Sequence, residues 1–200
     1  MTTLAPAPLI RTPGYVAEHP TLRRFTVDEY HRLVGLDYPH GGPRTELIDG
    51  LIYTMAPFSP PHIAVVNRLA ESFFTLVRNR ARVSVQNSVR LDDGTEPEPD
   101  LALLRREAPE DRVPVAADVL LVVEIAVTTE GFDRNVKLAR YAAAGIPEAW
   151  LVLPEKRTVE TFRRPGPGGY AEAALYTEAD TVDALGSALA VANVFPPTIS

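Results

Sequence analysis

Three side chains stand out for the chemistry their types allow: Asp100, Glu124 and Lys137. Glu124 interrupts the most apolar run of the chain, Val119 to Val127, which reads Val-Leu-Leu-Val-Val-Glu-Ile-Ala-Val. A carboxylate inside such a run is costly unless a cation or a network of donors meets it. An ion pair with a buried arginine would satisfy it equally, and the residue types alone leave that open. Asp100 follows Pro99 at the head of another β-prone run, where a Pro-Asp pair can also mark a plain turn. Glu96 and Glu98, just upstream, read as solvated loop charges. Lys137 is one of two lysines among the 20 basic residues, the other being Lys156. Where arginine is so strongly preferred, a retained lysine points to a task that suits a compact ammonium better than a guanidinium fork. Asp133 lies four residues before Lys137, so the two share a helix face, with Arg140 and Tyr141 about one turn further on.

The elements that must position these groups follow from periodicity. Thr26-Val27-Asp28-Glu29 has the form of a capping box and opens a short helix to about Val34. Tyr38 to Pro43 is a loop by its proline and glycine content. Glu46-Leu47-Ile48 and Leu51-Ile52-Tyr53 flank Asp49-Gly50, the pattern of a tight hairpin. Pro60-Pro61 opens a helix to about Arg80, with Val66, Leu69, Phe73, Leu76 and Val77 on one stripe. Val83, Val85, Val89 and Leu91 alternate, so 82–91 reads as a half-buried strand. Asp92-Asp93-Gly94 turns the chain, and Pro99 to Leu104 is the next strand. Val119 to Val127 fits a central strand covered on both faces. A helix from Asp133 to Ala144 ends at Gly145, with Pro147 beyond it. Ala149 to Leu153 is the following strand, which makes 119–153 a βαβ unit with parallel strands. Thr158 to Arg164 and Tyr170 to Tyr176 form a further pair, and 182–195 is apolar. Residues 1–22 read as a flexible arm, and 23–200 as one α/β domain.

Composition narrows the class. A chain of 200 residues with 46% hydrophobic and 23% charged residues is ordinary for a globular domain. No apolar run approaches the roughly 20 residues that span a bilayer, and the start of the chain lacks the features of a secretory signal. With no cysteine, disulfides and thiolate chemistry are excluded, and a cytoplasmic location without membrane contact is expected. The net charge of -6 argues against a strong, nonspecific nucleic-acid binder. It does not argue against a site whose carboxylates bind a cation that then attracts phosphate. The arginine clusters at 78–82, 105–106 and 163–164 read as solvated surface. The four histidines show no zinc-ligand spacing.

The ordered series is more specific than any single residue. It runs through Glu46-Leu47-Ile48-Asp49-Gly50, Ser59-Pro60-Pro61-His62, Val89-Arg90-Leu91-Asp92-Asp93-Gly94 and Pro99-Asp100. It continues with Val122-Val123-Glu124-Ile125, Asp133 through Lys137-Leu138-Ala139-Arg140-Tyr141, and Gly145-Ile146-Pro147-Glu148-Ala149-Trp150-Leu151-Val152. Over residues 25 to 195 this resembles the PD-(D/E)XK nuclease superfamily and, within it, the Uma family, whose members are described as putative bacterial restriction endonucleases. There are two departures. Ala126 stands two residues after the acid, where the superfamily has its lysine, and Lys137 on the helix takes that part, as is usual in this family. Val127-Thr128-Thr129 stands where the family commonly has a Ser-Pro-Ser-like stretch.

The resemblance implies a restriction-endonuclease-like core, a central mixed β-sheet flanked by helices. It implies Mg²⁺ or Mn²⁺ held by Asp100, Glu124 and the carbonyl of Ile125, with Lys137 positioning the attacking water. Glu46 would complete the metal shell or orient water, and His62 would contact phosphate or carry a proton. Tyr141 and Trp150 read as core residues. DNA is the expected substrate and a homodimer the expected assembly, by analogy with enzymes that cut two strands. The rival reading is a catalytically inactive nuclease-fold module for binding or assembly. The acidic net charge and the altered 127–129 loop favour it.

Overall fold

A computed structural model of the chain describes residues 23–37 and 43–197. The arm expected over 1–22 and most of the loop expected at 38–43 lie outside the described residues. Helix α1 (Val27–Asp37) starts at the anticipated capping box. The Thr26 amide donates to Glu29 Oε2 at 3.1 Å, and the Glu29 amide donates to Thr26 Oγ1 at 3.2 Å. The helix runs past the expected Val34.

Strands β1 (Thr45–Ile48) and β2 (Leu51–Thr54) form the expected antiparallel hairpin. Asp49 and Gly50 both take positive φ, 53° and 73°, as the primed two-residue turn requires. Gly50 is also packed against the chain before α1. A Cβ there would collide with Arg24 Cβ, and the Gly50 carbonyl accepts from the Phe25 amide at 3.0 Å.

Helix α2 (Pro60–Val77) stops before the expected Arg80. The Arg80 amide closes a turn on the Val77 carbonyl at 2.6 Å, and the chain passes directly into β3 (Ala81–Val85). The strand expected over 82–91 is therefore half as long as its alternation suggested. Gln86 takes a positive φ of 51° and breaks the ladder, and Arg90 bridges to Val115 instead. The apolar alternation at Val89 continues because that segment still packs on the sheet.

The main sheet has the order β3-β4-β5-β6-β7-β8. Its further members are β4 (Leu101–Arg105), β5 (Val119–Ile125), β6 (Glu148–Leu153), β7 (Thr158–Gly166) and β8 (Gly169–Thr177). Only β5 and β6 pair parallel in this sheet; its other neighbours are antiparallel. The fold is thus mixed α/β, with the βαβ unit where the sequence placed it. The β7–β8 hairpin is longer than expected, since Pro165, Gly166 and Gly169 all join the ladder.

The crossover from β5 to β6 is not one regular helix over 133–144. It comprises α3 (Glu130–Phe132), a π-helical turn (Asp133–Lys137) and α4 (Leu138–Ala143). The Leu138 amide donates to the Asp133 carbonyl, five residues back. The end is as expected: Gly145 at φ 79° lets the Ile146 amide reach the Tyr141 carbonyl at 3.0 Å and the Gly145 amide reach Ala142 at 3.0 Å.

The sheet is covered on both faces. Val65, Leu69 and Phe73 of α2 pack on Leu103, Val123 and Trp150. The same layer includes Val182 of β9 (Thr181–Asp183) and Leu189 of β10 (Ala188–Ala190). On the opposite face, Leu138, Tyr141 and Ile146 pack on Ala102, Leu104 and Val122. Side chains such as Leu69 and Phe73, fully buried, each contribute about 1.5–3 kcal/mol from burial. Among the described residues no helix is long and apolar enough to cross a membrane.

Candidate active site

Strand register brings the two acids together. Leu101 pairs with Val123 and Ala102 with Val122. One further antiparallel step sets Asp100 opposite Glu124, and side-chain alternation turns both to the α4 face of the sheet. The ladder ends there, which frees the Ile125 amide, and it donates to Asp100 Oδ2 at 2.8 Å. The next amide, of Ala126, donates to Val152 of β6 at 2.9 Å. Ile125 therefore presents its backbone polar groups to the Asp100 side.

Glu124 is 3% exposed and Lys137 is 1% exposed. Glu124 Oε1 accepts from the Tyr141 hydroxyl at 2.5 Å and pairs with Lys137 Nζ at 2.8 Å. The same ammonium donates at 3.2 Å to Glu46 Oε1, carried over the site by β1. Glu46 Oε2 is buried without a hydrogen-bond partner. The π-helical turn has a direct role here: it buries both Asp133 and Lys137 against the sheet. Asp133 Oδ2 accepts from Thr129 Oγ1 at 2.5 Å.

His62, in the first turn of α2, approaches Asp100 from the other side, with Nε2 at 2.8 Å from Oδ1. Its ring stacks on Phe58, with centroids 4.8 Å apart and planes 18° apart, and its Nδ1 is buried without a partner. The Arg44 guanidinium covers the Phe58 ring at 3.9 Å.

The ionisable groups of this cluster, Tyr141 apart, line one cavity of about 310 Å³. Five carboxylates face it, from Glu46, Glu98, Asp100, Glu124 and Asp133; Arg44 pairs with Glu98, which leaves the other four against the Lys137 ammonium and His62. Burial pushes Glu124 well above the usual carboxylate range; Lys137 pulls it back, while Asp133, Asp100 and Glu46 push it further up. Burial also raises Glu46 and Asp133, each partly offset by Lys137. Burial alone would lower the pKa of Lys137, but Glu124, Glu46 and Asp133 outweigh it and hold the ammonium charged. The Tyr141 hydroxyl is pushed up by burial and by Glu124, so it stays a donor.

A hard divalent cation fits this donor set. The cluster has excess negative charge, a buried carboxylate oxygen lacks a partner, and two carboxylates with a backbone carbonyl suit an ion that keeps several waters. Among the described residues no three His, Asp or Glu side chains are grouped so that they could hold a metal ion by themselves.

The family described as "Putative restriction endonuclease", Uma2, matches residues 27–192. The chain belongs to the Uma2 family. Among solved structures, this Uma2 chain is similar to a protein described as a putative nuclease belonging to DUF820 from Anabaena variabilis ATCC 29413. The match has a TM-score of 0.66 and 18% identity, and covers 86% of this chain and 97% of that one. At that identity the likeness shows the fold. No curated protein sequence matches the chain.

The residues singled out in the sequence, Asp100, Glu124, Ile125, Lys137, Glu46 and His62, all line the one cavity. Glu96 and Glu98 are not the solvated loop charges they resembled. Glu96 is buried and pairs with His31 at 2.7 Å, and Glu98 pairs with Arg44 at 2.8 Å. Tyr141 is core, as expected, but its hydroxyl also holds Glu124. Sequence reasoning missed Arg44 and Phe58, which carry no motif. Asp133 was noticed only as a neighbour of Lys137, and the four-residue step between them was the available signal.

Proposed function

We propose that this Uma2 protein is a divalent-cation-dependent endonuclease that hydrolyses DNA phosphodiester bonds. The observation that carries this reading is the buried Glu124–Lys137–Glu46 cluster, which opens onto the same cavity as Asp100. Asp100, Glu124 and the Ile125 carbonyl would hold Mg²⁺ or Mn²⁺. The bound ion would polarise the scissile phosphate and make a bound water more acidic. Lys137, held protonated by three acids, is a donor and not a base: it orients the attacking water and stabilises charge developing on the phosphate. Tyr141 and Glu46 fix Lys137 and Glu124 in mutual register. His62, braced by Phe58, keeps a proton-bearing ring beside Asp100.

One observation favours a second reading, a nuclease-fold module that binds or assembles without turnover. Both Asp100 oxygens and Glu124 Oε1 already have protein partners. Purified protein should nick or cut DNA with Mg²⁺ or Mn²⁺, and Asp100→Ala and Lys137→Ala should each abolish this. Full activity in both variants sinks the site assignment. Absence of divalent-cation binding by calorimetry favours the second reading.

A further inference from the structure

We propose that Arg44 grips the DNA backbone phosphate next to the one that is cut, an inference that rests on the nuclease reading. The cavity is lined by acids and would repel a phosphodiester from every side without a cation at its mouth. Among its described lining residues, Lys137 is fully buried and committed to Glu46 and Glu124, and His62 is committed to Asp100. Arg44 is the remaining cation, and its side chain is 31% exposed.

Its placement is built. The Arg44 carbonyl accepts from the Met55 amide at 2.8 Å, closing the base of the β1–β2 hairpin. Its guanidinium lies over the Phe58 ring at 3.9 Å, and one nitrogen, Nη2, bonds Glu98 at 2.8 Å. The remaining donors keep the planar fork that suits two phosphate oxygens. Phe58 also stacks on His62, so its ring is already engaged twice and serves as a shelf. Arg44, Phe58, His62 and Asp100 thus form one chain of contacts, two of them on the Phe58 ring and the last an ion pair. These contacts brace Arg44 against the residue that pairs with Asp100.

The test uses the full chain and a short labelled DNA duplex. Binding is read by fluorescence anisotropy with Ca²⁺, a cation of the same ligand class, and cleavage by steady-state kinetics with Mn²⁺. Arg44→Ala should raise Kd and KM about tenfold. The kcat should be unchanged, because a neighbouring phosphate is held equally in ground and transition states. The slope of log K against log salt should fall by about 0.9. Arg44→Lys should restore the slope but not the affinity, since an ammonium lacks the planar fork. Arg78→Ala, at the far end of α2, removes a charge as a control and should change nothing. If Arg44→Ala fails to fold, Arg44→Gln reads the same loss of charge with the stem kept. Cleavage by wild type with Kd, KM and slope unaltered in the Arg44 variants overturns this inference alone. Wild-type protein that neither binds nor cuts DNA overturns the nuclease reading and this inference together.

Discussion

Replacing Lys137 with Met separates a cation site from a structural ion pair. Met keeps most of the volume and removes the ammonium that Glu124 meets at 2.8 Å and Glu46 at 3.2 Å. All three side chains are almost fully buried, so solvent does not screen the loss. Removing one partner of a buried pair costs about 3–5 kcal/mol. For a chain of this size that is a fall in Tm of roughly 6–20 °C. A typical stability of about 5–15 kcal/mol leaves the variant folded. The cation dependence is the deciding observation. Lys137→Met leaves two carboxylates with no competing ammonium, so Mn²⁺ should bind it more tightly than wild type. At a hundredfold excess over Kd, binding returns about 2.7 kcal/mol. Differential scanning calorimetry should therefore show a large Tm loss in EDTA and substantial recovery in Mn²⁺. Glu46→Gln combined with Lys137→Met should lose less than Lys137→Met alone, because one of the stranded acids is gone. The same Tm loss in EDTA and in Mn²⁺, with no Mn²⁺ shift in wild type, would refute the reasoning and leave the cluster as a structural ion pair.

Two further outcomes follow from the geometry. Burial holds Glu124, Glu46 and Asp133 above their ordinary values of 4.5, 4.5 and 3.8. Because these values are raised, the acids' contribution to cation-free stability is complete below the ordinary range and lost as pH rises through the raised values. A cation must displace those protons, so its affinity should rise with pH across the raised range, with proton release seen by calorimetry in buffers of different ionisation enthalpy; a pH-independent affinity contradicts this. Gly50→Ala should destabilise the chain by about 1–3 kcal/mol, because φ is 73° and the new Cβ would meet Arg24. Urea unfolding checks it, and cleavage should fall as well, since the same hairpin carries Glu46; wild-type stability in this variant contradicts it.

Much of this arrangement was legible because strand physics is regular. Glu124 was visible as a carboxylate in a run that only a covered central strand explains, and β5 is that strand. The turn chemistry of Asp49-Gly50, the capping box at Thr26 and the stop at Gly145 each have a local cause, and each holds in the structure. Alternation alone misled at 86–91. Val89 keeps its phase by packing on the sheet although the ladder has already broken at Gln86. The π-helical turn was illegible for a related reason. Its sequence, Asp-Arg-Asn-Val-Lys, has no residue that disfavours an ordinary helix; the buried acids across the cavity favour drawing Lys137 inward, and Asp133 comes with it, held by Lys137 and Thr129.

Charge balance explains why the members of the candidate site could be picked from the sequence but not assembled. Glu46, Asp100, Glu124 and Asp133 come from a hairpin, the head of β4, the end of β5 and a helical turn, separated by up to 87 positions between Glu46 and Asp133. Each has a bland local explanation. What is not bland is their convergence on one cavity, where Glu46, Glu124 and Asp133 act on a single ammonium, which leaves more buried acid than protein cation. A fold gains nothing in stability from such an excess, since apolar side chains of the same volume would be as stable or more so. The excess therefore has to be accounted for outside the protein's own charges, by protons or by a bound cation. The unpartnered Glu46 Oε2 and the raised acids are what such a ligand would satisfy.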